Sequence, residues 1–178
     1  MTFEIDEAFE ILARTPDVLG ALLQDLSEPW LRAREADDAW GPVGVVAHLV
    51  HAERTDWIPR MRIILQDGEA RTMEPVDWFA HIEEGVDRPL PDLLHEFRSL
   101  RESNLAALLE ARAGGLDLNA RGRHPELGSI TLGQLLATWV VHDLSHIGRI
   151  VRALGARYAE DVGPFRAYLP MLQRRPRQ

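Results

Sequence analysis

The chain has 178 residues, which suits one compact domain, and its hydrophobic content of 46% provides ample material for a core. Acidic residues outnumber basic ones by 28 to 20, and the resulting net charge of -8 argues against general nucleic-acid binding, which needs many Lys and Arg contacts to phosphate. The absence of cysteine excludes disulfides, thiolate metal ligands from the protein and a cysteine nucleophile.

Apolar residues recur at three- and four-residue spacing, which predicts a mainly helical chain. The first predicted helix covers about residues 4–24, where Pro16 is expected to interrupt it. The second covers about residues 43–66 and stops before Asp67-Gly68, and Pro59 predicts a kink within it.

The third predicted helix covers residues 91–113 and begins with Pro91, which is favourable at a first helical position. A polar connection over residues 69–90 precedes it, with a short helix expected around residues 76–84. Residues 116–130 are predicted to form a loop.

The fourth predicted helix covers about residues 131–154, and its start carries the capping-box pattern Thr131-Leu-Gly-Gln134. A tail with Tyr158, Phe165, Tyr168 and Leu169 is expected to pack back as a short helix. Four helices of this length predict an all-α four-helix bundle formed by a single domain, residues 1–178, and the long connections allow a topology other than simple up-down. No secretory signal pattern and no apolar run of about 18 residues is present, so we expect a cytoplasmic protein.

Two histidines, His142 and His146, lie four residues apart in the apolar part of the fourth helix and therefore project from the same face. Each could be a core residue that is hydrogen-bonded to a carbonyl oxygen. Because a buried polar group without a partner costs about 1–3 kcal/mol, a shared metal ion is an alternative that satisfies both rings at once.

A second pair, His48 and His51, lies in the second helix. The apolar neighbours of His48 favour it as the inward-facing ligand, whereas Glu53 and Arg54 indicate that the helix turns toward solvent near His51. The remaining histidines stand in polar or charged surroundings and are predicted to lie on the surface: His81, His95 and His124.

The stretch from His142 to His146 is also similar to the H-E-x-x-H pattern of metalloproteases, with Asp143 at the position of the base. The shorter side chain and the lack of a downstream third histidine argue against a protease, so Asp143 is interpreted as a residue behind the ligands or on the surface. Trp139 lies one turn before His142 and is expected to wall a pocket as a possible substrate-binding residue.

The chain resembles the DinB-like superfamily of metalloenzymes in two blocks that contain these histidines. One is Trp40-Gly-Pro-Val-Gly-Val-Val-Ala-His48-Leu-Val-His-Ala-Glu53-Arg54, and the other runs from Gly128 through the capping box to His142-Asp-Leu-Ser-His146-Ile. The resemblance implies a four-helix bundle with a three-histidine site in which His48, His142 and His146 hold one divalent ion such as nickel or zinc. It also implies a homodimer.

Characterised members of this family include thiol-dependent isomerases and bacillithiol S-transferases, so the resemblance implies an S-transferase or isomerase that uses a low-molecular-weight thiol and a small-molecule substrate. A metal-dependent hydrolase and a non-catalytic ligand-binding bundle are the alternatives. Relatives often carry Gln shortly after the last histidine, where this chain has Arg149. Arg149 could bind a carboxylate of the thiol or substrate, or it could be a surface residue.

Overall fold

The computed structural model describes residues 3–36, 39–75 and 88–173. The α-helices of this part of the chain are α1 (Ile5–Leu12), α2 (Thr15–Leu23), α3 (Glu28–Leu31), α4 (Pro42–Thr55), α5 (Trp57–Asp67), α6 (Leu90–Ala113) and α7 (Leu132–Ala156). Strands β1 (Arg121–His124) and β2 (Gly128–Thr131) lie between α6 and α7, and two 3-10 helices, Gly163–Tyr168 and Pro170–Leu172, follow α7.

The bundle has four long helical segments, as the periodicity predicted, and two of them are broken near a proline. The first consists of α1 and α2, which are separated just before Pro16. The second consists of α4 and α5, and the predicted kink near Pro59 lies at Asp56. A proline ring clashes with the carbonyl group four residues before it and has no N–H to donate to that group. The helix that contains Pro59 therefore starts after Thr55.

The predicted loop over residues 116–130 is wrong in its second half, which forms an antiparallel β-hairpin. Arg121 pairs with Thr131 and His124 with Gly128. Gly128 has a φ of 73°, a left-handed conformation that glycine adopts without strain. Alternation over four residues is too short a signal to be recognised in the sequence, and the packing of β1 on α5 decides the outcome.

Buried apolar side chains form two clusters along the bundle. One includes Leu12, Trp57, Leu108 and Trp139, and the other includes Leu19, Val46, Phe97 and Ile150. Between them, a layer of buried charge joins the helices through Arg101, Glu53 and Asp143. This layer fixes α4 against α7, the two helices that carry the predicted ligands.

The tail packs back on α7 only in part. Met171 contacts the helix at Gly155, whereas Phe165 and Tyr168 are exposed, so the predicted short helix is present as 3-10 turns. The predicted helix around residues 76–84 lies outside the described residues. Within the described ranges, no helix combines the length and apolar character that a membrane span requires.

Candidate metal centre

Helix α4 places His48 inside the bundle. The helix begins at Pro42, whose missing N–H costs nothing at a first helical position. His48 lies two turns further on, beside Val45 and Leu49, and only 4% of its surface is exposed. The apolar surroundings that predicted an inward-facing histidine are therefore present.

Helix α7 supplies the other two histidines. The predicted capping box is formed, because Thr131 Oγ1 accepts a hydrogen bond from the Gln134 N–H and Gln134 Oε1 accepts one from the Thr131 N–H. The cap fixes where α7 starts and therefore which side of the helix faces inward. His142 and His146 lie on that side with ring centroids 4.3 Å apart, and His146 is buried.

The three predicted ligands converge. Nε2 of His48 lies 3.0 Å from Nε2 of His142, and one ring nitrogen from each of His48, His142 and His146 lies within 4.8 Å of the others. Zinc–nitrogen bonds of about 2.0–2.1 Å place tetrahedral ligand atoms about 3.3 Å apart, which is close to the distance between the Nε2 atoms of His48 and His142. In the described part of the chain, this is the group of histidine and carboxylate side chains with the geometry to hold a metal ion.

The protonation of His142 also suits a ligand. Burial, together with the positive charges of Arg101 and Arg149, lowers the pKa of His142 from its ordinary value of 6.5 to about 4. The ring is therefore neutral at pH 7, and a neutral imidazole is the form that binds metals.

The ring of His142 is oriented by packing. Its Nδ1 has no hydrogen-bond partner among the described residues, although metal-bound histidines usually donate their second N–H to a protein group or water. The ring instead meets Trp57 edge-on with centroids 5.1 Å apart. Trp57 thus packs against this candidate ligand together with the rings of His48 and His146, whose centroids lie 5.1 and 4.3 Å from it.

The three histidines line a cavity of about 1120 Å³. Trp40 and Trp57 contribute its aromatic wall, and Trp40 stacks on His146 with centroids 6.4 Å apart. Arg149 lies on the same wall, with its guanidinium 5.4 Å above the ring of Trp40. Arg149 is exposed and also lines the cavity, so its position is compatible with both roles considered for it, a surface arginine and a contact to a ligand.

Comparison with known proteins decides the family. The model of the DinB superfamily matches residues 11–150, a range that contains all three histidines. The chain belongs to the DinB superfamily. No curated protein sequence matches it significantly.

A solved structure of this superfamily has the same fold. The chain matches YfiT from Bacillus subtilis, described as a probable metal-dependent hydrolase with an unusual four-helix bundle topology, with a TM-score of 0.70 and 22% sequence identity. The match covers 83% of this chain and 84% of that chain. It confirms the predicted four-helix bundle.

The prediction that Trp139 lines the cavity is wrong, because its side chain does not reach the cavity surface. Trp139 is fully buried, donates from Nε1 to Oε1 of Glu53 at 2.9 Å and stacks on Trp57 with centroids 5.7 Å apart. It therefore supports the wall from behind. The indole N–H needs a partner when it is buried, and the structure supplies it away from the cavity.

The prediction that α4 turns toward solvent at Glu53 is also wrong, because Glu53 is only 2% exposed. Arg101 binds it through two hydrogen bonds, of 3.1 and 2.8 Å, and Asn104 Nδ2 donates to Glu53 Oε2 at 3.0 Å. Burial nevertheless raises the pKa of Glu53 against the lowering effect of Arg101. Asp143 completes this cluster on the other side of Arg101 and lies inside the protein, not on its surface.

Sequence reasoning missed one group of residues that line the cavity. His124 was predicted to be a surface residue, but the hairpin carries it to the cavity wall, which Asp56 and Arg60 from the α4–α5 junction also line. The patterns around these residues have no functional signature. By contrast, His95 is exposed as predicted, His51 is half-buried and lies outside the cluster that could hold a metal, and His81 is outside the described residues.

Proposed function

We propose that this protein is a divalent-metal-dependent enzyme that activates a small nucleophile for reaction with a second small molecule. One observation carries the proposal, namely that His48, His142 and His146 bring three ring nitrogens together at the wall of a cavity of about 1120 Å³. Three protein ligands leave a coordination position for a further group, as catalytic sites require. A closed structural site would use four protein ligands.

Nickel or zinc is the proposed ion. The donor set consists of imidazole nitrogens, which suit zinc and nickel, while calcium and magnesium prefer oxygen ligands. The low pKa of His142, about 4, keeps this donor available at neutral pH. A divalent ion bound at this position would lower the pKa of a thiol or water molecule beside it and so produce a nucleophile at neutral pH.

The first candidate nucleophile is a low-molecular-weight thiol, which makes the reaction an S-transfer or a thiol-assisted isomerisation. The chain has no cysteine, so the thiol must come from a cofactor. Arg149 is proposed to bind a carboxylate of the thiol or of its reaction partner, and Trp40 holds the guanidinium in place. Together the two residues would orient one end of the ligand beside the histidines.

The second candidate is hydrolysis with water as the nucleophile at the same site. The observation that favours it is the likeness in fold to YfiT, which is described as a probable metal-dependent hydrolase. The two candidates share the ligands and differ in their requirement for a thiol.

The test begins with metal content, measured by elemental mass spectrometry on untagged protein. We expect about one nickel or zinc ion per chain, and we expect its loss in His142→Ala and in His146→Ala. His95→Ala, an exposed histidine on α6, is the matched control and should keep the metal. Full metal content in both ligand variants would contradict the three-histidine site, and the absence of metal after reconstitution would favour a non-catalytic ligand-binding bundle.

Loaded protein is then assayed with model electrophiles and model esters, with and without added thiol. Product that forms only with both metal and thiol supports S-transfer. Hydrolysis that depends on metal but proceeds without thiol supports the second candidate.

A further inference from the structure

The cavity extends to both sides of the histidine cluster along α7. Successive turns of this helix line it, beginning with Gln134 and Thr138, passing the histidines and ending with Arg149 and Ala153. At 1.5 Å per residue, Gln134 and Ala153 are separated by about 28 Å along the helix axis. A ligand centred on the histidines can therefore place groups at two ends that differ in chemistry.

The end near Gln134 is built from separate parts of the chain. Asp56 and Arg60 come from the α4–α5 junction, and His124 comes from the hairpin. Asp56 lies about 12 Å along the helical path from His48, at 1.5 Å per residue. This end is thus distinct from the metal centre and shares its cavity.

His124 offers a hydrogen-bond donor whose position is fixed. Its Nδ1 accepts hydrogen bonds from the backbone N–H groups of Glu126 and Leu127, both at 3.2 Å. A neutral imidazole that accepts at Nδ1 carries its proton at Nε2. Burial lowers the pKa of His124, and the charge of Arg60 acts in the same direction, so the neutral form with an Nε2–H donor is favoured.

Asp56 offers an acceptor in the same part of the cavity, where its charge and that of His124 affect each other. Its side chain is only 14% exposed, and Nε of Arg60 lies 3.2 Å from Oδ1. Arg60 also donates from Nη2 to the carbonyl oxygen of Glu74 at 3.0 Å, and this hydrogen bond holds the guanidinium in one orientation. The contact with Arg60 engages Oδ1, and Oδ2 is the acceptor that Asp56 can offer to a ligand.

The charges at this end do not favour an anionic ligand group. The positive charge of Arg60 is offset by Asp56, and Glu126 adds a negative charge next to His124. A donor and an acceptor that line the same part of the cavity, with no excess of positive charge, match a neutral group that both accepts and donates hydrogen bonds. An amide has this arrangement, since its carbonyl oxygen accepts and its N–H donates.

We propose that His124 and Asp56 form a second subsite that binds a neutral amide group of the thiol cofactor or substrate. Nε2 of His124 donates to the amide carbonyl oxygen, and Oδ2 of Asp56 accepts from the amide N–H. The assignment rests on the proposed function for the thiol, while the amide recognition itself is independent of which nucleophile reacts. The opposite end, with Arg149 and Trp40, takes the carboxylate.

The test uses zinc-loaded protein and three probes. Pantetheine carries a thiol and two amides, its S-methyl ether carries the amides without a thiol, and 2-mercaptoethanol carries a thiol without an amide. Binding is followed by NMR of ¹⁵N-labelled histidine rings. We expect pantetheine and its S-methyl ether to shift the His124 Nε2 resonance, and we expect pantetheine to bind about tenfold more tightly than 2-mercaptoethanol.

The variants His124→Phe and Asp56→Leu should each remove the advantage of pantetheine and leave the affinity for 2-mercaptoethanol unchanged. His124 is half-buried and, among the described residues, makes no hydrogen bond with Arg60, so His124→Phe keeps the test valid if the loss of the Asp56 charge disturbs Arg60. His95→Phe is the control and should behave as wild type. Circular dichroism confirms that each variant is folded.

Failure of the two proposals gives different results. If no thiol affects the histidine ligands but the S-methyl ether still shifts His124, thiol chemistry is excluded and the amide subsite stands. If neither pantetheine nor its S-methyl ether shifts His124, or if both variants retain the full advantage of pantetheine, the subsite is refuted.

Discussion

Two hydrogen bonds, of 2.7 and 3.0 Å, join the guanidinium of Arg101 to the carboxylate of Asp143, the residue that directly follows His142. On its other side Arg101 binds Glu53, five residues after His48 on α4. It also donates to the carbonyl oxygen of Leu12 at 2.8 Å. One buried cation thus connects both helices that carry candidate ligands with the end of α1.

We expect Arg101→Met to destabilise the protein by about 3–5 kcal/mol, because it leaves two buried carboxylates without their cation. Chemical denaturation measures the loss. The matched control is Arg98→Met on the same helix, whose partner Asp17 is 74% exposed. An exposed pair contributes about 0–1 kcal/mol, so equal losses in the two variants would contradict the role assigned to Arg101.

The triple variant Arg101→Met, Glu53→Gln and Asp143→Asn separates charge from packing. Since it removes the cation and both carboxylates together, we expect it to be more stable than Arg101→Met alone. A triple variant that is less stable than the single one would show that shape, not uncompensated charge, determines the cost.

Gly122→Ala should destabilise the hairpin. A Cβ atom at this position would lie 2.6 Å from Cγ1 of Ile64 and 2.9 Å from Cε of Met73, so β1 would be pushed away from α5. Overpacking of this kind costs about 1–3 kcal/mol, which thermal or chemical unfolding detects.

Gly20→Ala is the matched control, since a Cβ atom at Gly20 in α2 would meet nothing within 4 Å. This substitution should stabilise the protein by about 0.5–1 kcal/mol, because alanine favours the helix. Destabilisation of similar size by both changes would argue against the tight contact between β1 and α5.

Metal-free protein should become more stable as the pH rises from about 4 to 6.5, in part because of His142. The pKa of His142 is about 4 in the folded protein, against an ordinary value of 6.5, so the unfolded chain binds the additional proton within this window. The full difference contributes at most about 3 kcal/mol. The contribution is complete above the unfolded pKa and is lost as the pH falls toward 4.

The measurement is the free energy of unfolding in the presence of a chelator, at several pH values, for wild type and His142→Asn. The variant should have a smaller slope in this window, whereas His95→Asn should retain the wild-type slope. Identical slopes for wild type and His142→Asn would indicate that the ring is accessible to protons in the folded state.

Thr131→Ala should cost about 0.5–2 kcal/mol, because the N–H of Gln134 loses the cap that starts α7. Thr131→Ser keeps the hydroxyl and should remain close to wild type in thermal unfolding. If Thr131→Ser loses as much stability as Thr131→Ala, the threonine methyl group, and not the cap, would be the stabilising element.

The features that depend on neighbours along the chain could be predicted from the residues alone. The 3.6-residue period located the long helices, the capping box located the start of α7, and the four-residue spacing placed His142 and His146 on one face. These signals are local, because helix geometry and caps involve residues within a turn of each other. The proline breaks follow from the same local rule.

Which distant residues meet depends on how the helices pack, and no local pattern predicts it. His48 and His142 are 94 positions apart, and their contact depends on how α4 packs against α7. The burial of Glu53 depends on its ion pair with Arg101 from α6, and the residues next to Glu53 in the sequence do not predict this partner. Likewise, strand β1 brings His124 to the cavity only because β1 packs against α5. Charged and short polar segments carry weak local preferences, so the packing of the folded chain determines where they lie.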